Sequence, residues 1–356
     1  MNQPTRLRTF ARRGFVKAAA GGAALLGALG TIGFFALSRR SQRSTATPPH
    51  NPFAYDLTQL NKTDPKLIHY DEIGRIRCPH EDPRRITIGS DDHLRVASGN
   101  YISVLDRDGG VLSEIALTAP ARCLAVAADG SIYAGLRDHV EVFDPKGQRR
   151  AVWDAPARRT WFTGLAVSEN DLFAADAGHR VVRHYDRSGK LIGQIGDKNP
   201  DRGVPGFIVP SPYFDVELGR DGLLRVNNPG RHQVEAYTKN GDFEFGWGRA
   251  SSAIDGFCGC CNPINLALLA DGKIVTCEKG LPRVKVYAAE GTFESVVAGP
   301  ESFPENAKKN LADDADGTHG GLDAAVDSTG RIYILDSVAG DVRIMAKKAG
   351  NSPTTG

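Results

Sequence analysis

Residues 266–287 read Leu266-Ala-Leu-Leu-Ala-Asp-Gly-Lys-Ile-Val-Thr-Cys-Glu278 and then Lys279-Gly-Leu-Pro-Arg-Val-Lys-Val-Tyr287. Two apolar runs flank an Asp-Gly pair, the pattern of a tight hairpin, and a third alternating run follows a short loop. The arrangement recurs at 86–97 (ITIGSDDHLRVA), 124–134 (LAVAADGSIYA), 165–175 (LAVSENDLFAA), 216–227 (VELGRDGLLRVN) and 324–336 (AAVDSTGRIYILD). Each copy has its third run: YISVLD, HVEVFD, RVVRHYD, QVEAY, RVKVY and DVRIM. Most then show a glycine turn (Asp108-Gly109, Lys146-Gly147, Ser188-Gly189, Asn240-Gly241, Glu290-Gly291) and a fourth apolar run. A repeat of this length is one supersecondary unit that buries its apolar faces only against its neighbours.

Six four-stranded units predict an all-β, six-bladed propeller over residues 65–347, with the stretch Lys66-Leu-Ile-His-Tyr-Asp71 supplying the outer strand of the last blade. A β-sandwich is the alternative, disfavoured by six copies in phase. The copies resemble NHL repeats, best in Asp176-Ala-Gly-His-Arg-Val-Val-Arg-His-Tyr-Asp186 and in Glu278-Lys-Gly-Leu-Pro-Arg-Val-Lys-Val-Tyr287. The resemblance covers about residues 66–346 and implies a recognition fold; it names no activity, because propellers host many.

The repeat phase brings distant positions together. In the innermost strands, Thr87, Ala125, Ala166, Glu217, Ala267 and Ala325 are expected to face the channel. One step earlier the ring reads Arg85, Cys123, Gly164, Asp215, Asn265 and Asp323. Among small residues, Asp215, Glu217, Asn265 and Asp323 stand out, with Arg85 on the next blade round. Such oxygens suit a hard cation such as Ca²⁺ or an acid/base pair. They equally suit an ion-paired channel mouth around Arg85 with no chemistry of its own.

The least ordinary stretch is Phe257-Cys258-Gly259-Cys260-Cys261-Asn262-Pro263, in the loop entering the fifth copy. By repeat phase Cys277, Glu278, Lys279, Cys78, His80 and His319 rim the same mouth. Three readings stay open. The thiols, with Cys277 or His319, hold copper, zinc or an iron–sulfur centre. They form disulfides such as Cys258–Cys261 or Cys261–Cys277, whereas a Cys260–Cys261 bridge between adjacent residues would be strained and therefore labile. Or they are reactive thiols in a redox relay. The C-x-C-C spacing matches no common zinc or iron–sulfur pattern.

Weaker candidates are the acidic stretch 311–322 (LADDADGTHGGL), which lacks EF-hand spacing, the loop residues His179 and His232, and Trp161 with Phe162 as walls of the mouth. No nucleophile elbow, zincin, P-loop or dinucleotide fingerprint occurs, so Ser–His–Asp chemistry has no support.

The N-terminus carries an address. Arg12, Arg13, Phe15 and Lys17 precede an uncharged run over 18–37, and basic residues follow it. This resembles a twin-arginine export signal, which implies the Tat translocase as a partner and a periplasmic destination. The expected division is 1–46 signal or membrane anchor, 47–64 proline-containing linker, 65–347 propeller and 348–356 tail. If uncleaved, the run is long enough to anchor the chain on the outer side of the inner membrane. Of 44 Lys and Arg in 356 residues, eight lie in the first 46 with no acid; the remaining 36 face 42 acids, a net of −6. A mildly acidic body without a basic stripe argues against nucleic acid as partner.

The leading expectation is an exported binding or accessory protein, for a periplasmic protein or small ligand, serving a redox or metal-containing partner through a Cys-rich mouth. The alternatives are a metal-dependent hydrolase or lyase, as resemblance to propeller lactonases, strictosidine-synthase-like enzymes and peptidylglycine lyases implies, and a scaffold stapled by disulfides.

Overall fold

A computed structural model describes residues 60–308 and 321–350. Six antiparallel four-stranded sheets, each a blade, follow one another in sequence: 83–116, 123–153, 162–195, 216–247, 265–298 and 322–347. The sixth is completed by the earliest strand, Tyr70–Arg77, which pairs with Asp341–Lys347. The chain is a six-bladed β-propeller, closed by joining its two ends in one sheet, so no long strand edge stays open. The closing strand starts at Tyr70 rather than Lys66. Pro65–Leu67 forms a 3₁₀ turn instead, with the Asp64 carboxylate accepting from the Lys66 amide at 3.0 Å.

The Asp-Gly pairs are explained by the hairpins they make. Asp129 accepts from the Ser131 amide at 2.9 Å, and Gly130 takes a left-handed φ of +81°. Asp221, Asp271 and Asp327 make the same bond in their own copies. After the third strands, Asp106, Asp144 and Asp186 each accept from two amides, two and four residues on. The acid at that place in these three blades is a turn-former.

The core consists of six apolar clusters, one between each pair of adjacent blades. This corrects the parity expected for the innermost strands. Leu124 packs toward blade 1 and Ala125 toward blade 3, because both faces of every sheet are covered by a neighbour. Thr87, Glu217, Ala267 and Ala325 line the axial cavity as expected, Ala267 and Ala325 while also belonging to inter-blade cores, and Ala125 and Ala166 lie in such cores without lining it.

Candidate functional site

At the axis, Arg85 reaches across from blade 1 to three other blades. Its guanidinium donates to Asp215 at 2.6 Å and to the Asn265 carbonyl oxygen, and lies 3.5 Å from Asp323. All four residues are buried. Their remaining groups bind the neighbouring blade: Asp215 accepts from the Leu266 amide at 3.0 Å, Asn265 donates to the Leu322 carbonyl at 2.7 Å, and Asp323 accepts from the Ile86 amide at 2.8 Å. Thr163 adds a bond to the Phe214 carbonyl at 2.6 Å. Gly164 completes the ring because a Cβ there would lie 2.5 Å from an Asp215 oxygen.

The ring is therefore a set of inter-blade braces knotted by one guanidinium, the ion-paired arrangement around Arg85 that the sequence left open beside a cation or acid/base site. A fixed cation stands where a Ca²⁺ would, so this donor set does not fit a hard metal ion. Burial pushes the Asp323 carboxyl up to about 6 against the pull of Arg85, and raises Asp215 as well. Arg85 is held more firmly protonated by Asp215 and Asp323, which outweigh its own burial.

This knot separates two spaces. Toward the face carrying the inter-blade loops is a pocket of about 50 Å³ lined by Arg84, Arg85, Arg122, Thr163, Tyr213 and Asn265. Toward the face of the first hairpin turns the channel widens to about 850 Å³. Glu217 lines this wider space, away from the mouth where sequence reasoning put it. Its carboxyl has no hydrogen bond or ion pair among the described residues. Desolvation, with the nearby Asp215 charge, drives it well above the usual range.

The cysteine loop is built on a second buried ionic cluster. Glu278, at the end of the second strand of blade 5, binds Arg283 at 2.7 Å and Lys285 at 2.9 Å. All three are essentially without exposure, and burial drives Lys285 down to about 8 against the pull of Glu278. Glu278 also accepts from the Cys258 amide at 3.0 Å, while Arg283 and Lys285 donate to the Gly256 carbonyl. Glu278 is thus the loop's foundation and not a rim residue, a correction that the alternation of Val284-Lys285-Val286 concealed. The equivalent Asp176 in blade 3 binds His179 and Arg183 in the same way.

Two further pins hold the loop itself. Asn262 accepts from the Lys279 amide and donates to the Lys279 carbonyl, both at 2.9 Å, and also donates to the Cys258 carbonyl. His232 meets the Gly259 carbonyl at 2.5 Å. Between them Cys260 is exposed, Cys261 is buried, and their sulfurs lie 3.0 Å apart. Lys279 stands over the Tyr213 ring at 4.1 Å and donates to Ser211 at 3.2 Å. Ser211 and Tyr213 precede blade 4 with no spacing signal to mark them, and sequence reasoning missed them.

The other thiols do not join this loop. Cys277 sits at zero exposure in the core between blades 5 and 6, its thiol pushed well up by burial, and it is not bridged to Cys261. Cys78 and Cys123 are buried and pushed up to about 12. His80 turns outward to stack on Tyr101 and bind Glu114 at 2.6 Å. All six cysteines are free thiols. Among the described residues no group of three His, Cys, Asp or Glu side chains is placed to hold a metal ion. His319 and the export-signal residues Arg12, Arg13, Phe15 and Lys17 lie outside the described residues. Trp161 has Arg137 over its ring at 4.5 Å and Arg122, which lines the pocket, at 5.4 Å, while Phe162 is core.

In its fold the chain is similar to solved bacterial lyases. A streptogramin B lyase is 14% identical with a TM-score of 0.54, over 79% of this chain and 98% of that one. Selenomethionine-substituted virginiamycin B lyase from Staphylococcus aureus is 14% identical with a TM-score of 0.55, over 78% and 100%. A catalytically inactive variant of that lyase, with quinupristin, is 13% identical with a TM-score of 0.54, over 78% and 100%. At such identity the likeness establishes the six-bladed fold and nothing about activity. No family model matches the chain, and no curated protein matches it in sequence.

Proposed function

We propose that this chain is an exported, NHL-type propeller that serves as a binding or accessory protein, engaging its partner on the inter-blade face through the cysteine loop. One observation carries the reading. Arg85, Asp215, Asn265 and Asp323 at the axis are engaged in bracing the blades, whereas the polar residues beneath the loop hold its backbone and leave Cys260 facing solvent. A twin-arginine signal at Arg12 and Arg13 delivers the body to the periplasm, where a redox or metal-containing protein is the expected partner.

The test uses the full chain exported by its own N-terminus, with a photocrosslinker on Cys260. A matched probe goes on the hairpin face, at Arg220→Cys in a Cys260→Ser background. Capture of a periplasmic partner at the first position alone supports the reading; equal capture at both, or at neither, overturns it. Metal analysis of the same preparation separates a resident soft metal from thiols alone.

A second reading is a propeller lyase of the kind the fold likeness suggests. It is favoured by Glu217, an unpaired carboxyl in a wide cavity whose pKa burial and the Asp215 charge raise well above the usual range, the direction that suits a general acid. Turnover of quinupristin that Glu217→Gln abolishes would establish it; no turnover, or turnover indifferent to Glu217, removes it.

A further inference from the structure

We propose that Cys260 and Cys261 form a thiol–disulfide exchange pair, with Cys260 attacking and Cys261 resolving. The identity of its partner, a protein disulfide, rests on the binding reading above; the chemistry of the pair does not.

Distance decides between bond formation and metal binding. Two thiolates on one tetrahedral zinc stand about 3.8 Å apart, given a ~2.3 Å Zn–S bond. Two on a linear soft ion stand farther still, about twice the metal–sulfur distance. The Cys260 and Cys261 sulfurs are 3.0 Å apart, in direct contact and inside both of these separations, with no room for a metal ion between them. The pair is held there from both sides: His232 secures Gly259 immediately before it, and Asn262 ties the next residue to both main-chain groups of Lys279.

The two thiols differ as attacking and resolving thiols should. Cys260 is exposed and can reach a disulfide in solution or on another protein, whereas Cys261 is 4% exposed and cannot. Burial and the Cys260 thiol raise the Cys261 pKa, while Ser211 and the Lys279 ammonium pull the other way and favour its thiolate when it resolves. The remaining buried thiols, Cys78, Cys123 and Cys277, lie in separate inter-blade cores or behind the knot at the axis, so they do not compete.

The balance is that of ordinary exchange. The Cys260 thiolate attacks one sulfur of the partner disulfide, forming a mixed disulfide and expelling the partner's other sulfur as thiolate. The Cys261 thiolate then attacks the Cys260 sulfur, forming the Cys260–Cys261 bond and expelling the second partner sulfur. The two thiol protons pass to the two released thiolates. The pair loses two electrons and the partner disulfide gains them.

Glutathione disulfide is the probe, applied to the reduced full chain and followed by alkylation and peptide mapping. The native chain should release about two glutathione per molecule and show a disulfide linking residues 260 and 261. Cys261→Ser should release about one and retain glutathione on Cys260. Cys258→Ser should exchange like the native chain, which also reports that the loop still folds. Stable glutathionylation of the native chain, a Cys258–Cys261 bond, or an unreactive Cys260 would each overturn the proposal. Because glutathione disulfide needs no docking face, failure here leaves the crosslinking result intact, and failure of crosslinking leaves the pair intact.

Discussion

Arg85 at the axis and Glu278 beneath the cysteine loop are both buried charges holding opposite charges, yet they do different work. Arg85 gathers Asp215, Asn265 and Asp323 from three blades, and those residues spend their other polar atoms on backbone groups of the next blade. Glu278 gathers Arg283 and Lys285 from its own sheet, and the three spend theirs on one loop. The first cluster spends most of its polar atoms on joining blades, with one buried Asp323 oxygen left without a hydrogen bond. The second rigidifies a loop whose side chains stay available. A charged cluster is therefore judged by what its spare hydrogen bonds hold, since clustering itself is common in structural roles.

The largest test of this contrast is Arg85→Met. It strands two carboxylates at 0% and 2% exposure and should cost about 3–5 kcal/mol of unfolding free energy at neutral pH. Urea denaturation measures it, and the alkylation rate of Cys261 in the native state should not change. Glu278→Gln should give the reverse profile. It strands the Arg283 and Lys285 charges at a cost of about 3 kcal/mol, and it frees the loop so that Cys261 alkylates several-fold faster. If both variants altered Cys261 alike, the two clusters would not be separable.

A smaller effect concerns pH. Asp323 titrates at about 6 when folded and near 4 when unfolded, so between these values the folded chain carries a proton the unfolded chain lacks. Its contribution to stability therefore rises as pH falls from about 6 to about 4. Paired surface carboxylates act with the opposite sign. Asp91, bonded by Arg95, and Asp171, where Lys239, His184 and Ser168 outweigh burial, are held at about 2 and lose their contribution as pH falls from about 4 toward 2. Stability measured across pH 4–7 should show Asp323→Asn gaining on the native chain as pH rises. A constant difference would mean that Arg85 keeps Asp323 ionised throughout.

The smallest change is expected at Glu217→Gln. The carboxyl holds no partner, so stability should stay within about 0.5 kcal/mol of the native chain or increase slightly. A loss above 2 kcal/mol would place Glu217 among the braces instead.

Much of the architecture was legible because a propeller is written locally. Each Asp-Gly turn and alternating run specifies one hairpin, and six copies specify the blade count. The ring Arg85, Asp215, Asn265 and Asp323 was also legible as a set, since repeat phase alone brings those positions to the axis. Its role was not. Whether oxygens converge on a metal or on a guanidinium depends on where one long side chain points, and the spacing of residues carries no trace of that. Lys285 is the sharper case: in Val284-Lys285-Val286 it reads as a solvent-facing residue, but the loop at 254–256 covers it and makes it part of a foundation.

The sequence by itself determined the strands, their turns, their number and the presence of three thiols at the entrance to the fifth blade, because each follows from residues near one another in the chain. The tertiary structure decided which polar groups are spent and which remain free. It placed Arg85 across the axis, buried Cys277 away from the loop, and set Cys260 beside Cys261 over a buried anion. Those outcomes depend on packing between blades and on the cost of leaving a buried charge unpaired, which act between residues the chain holds far apart.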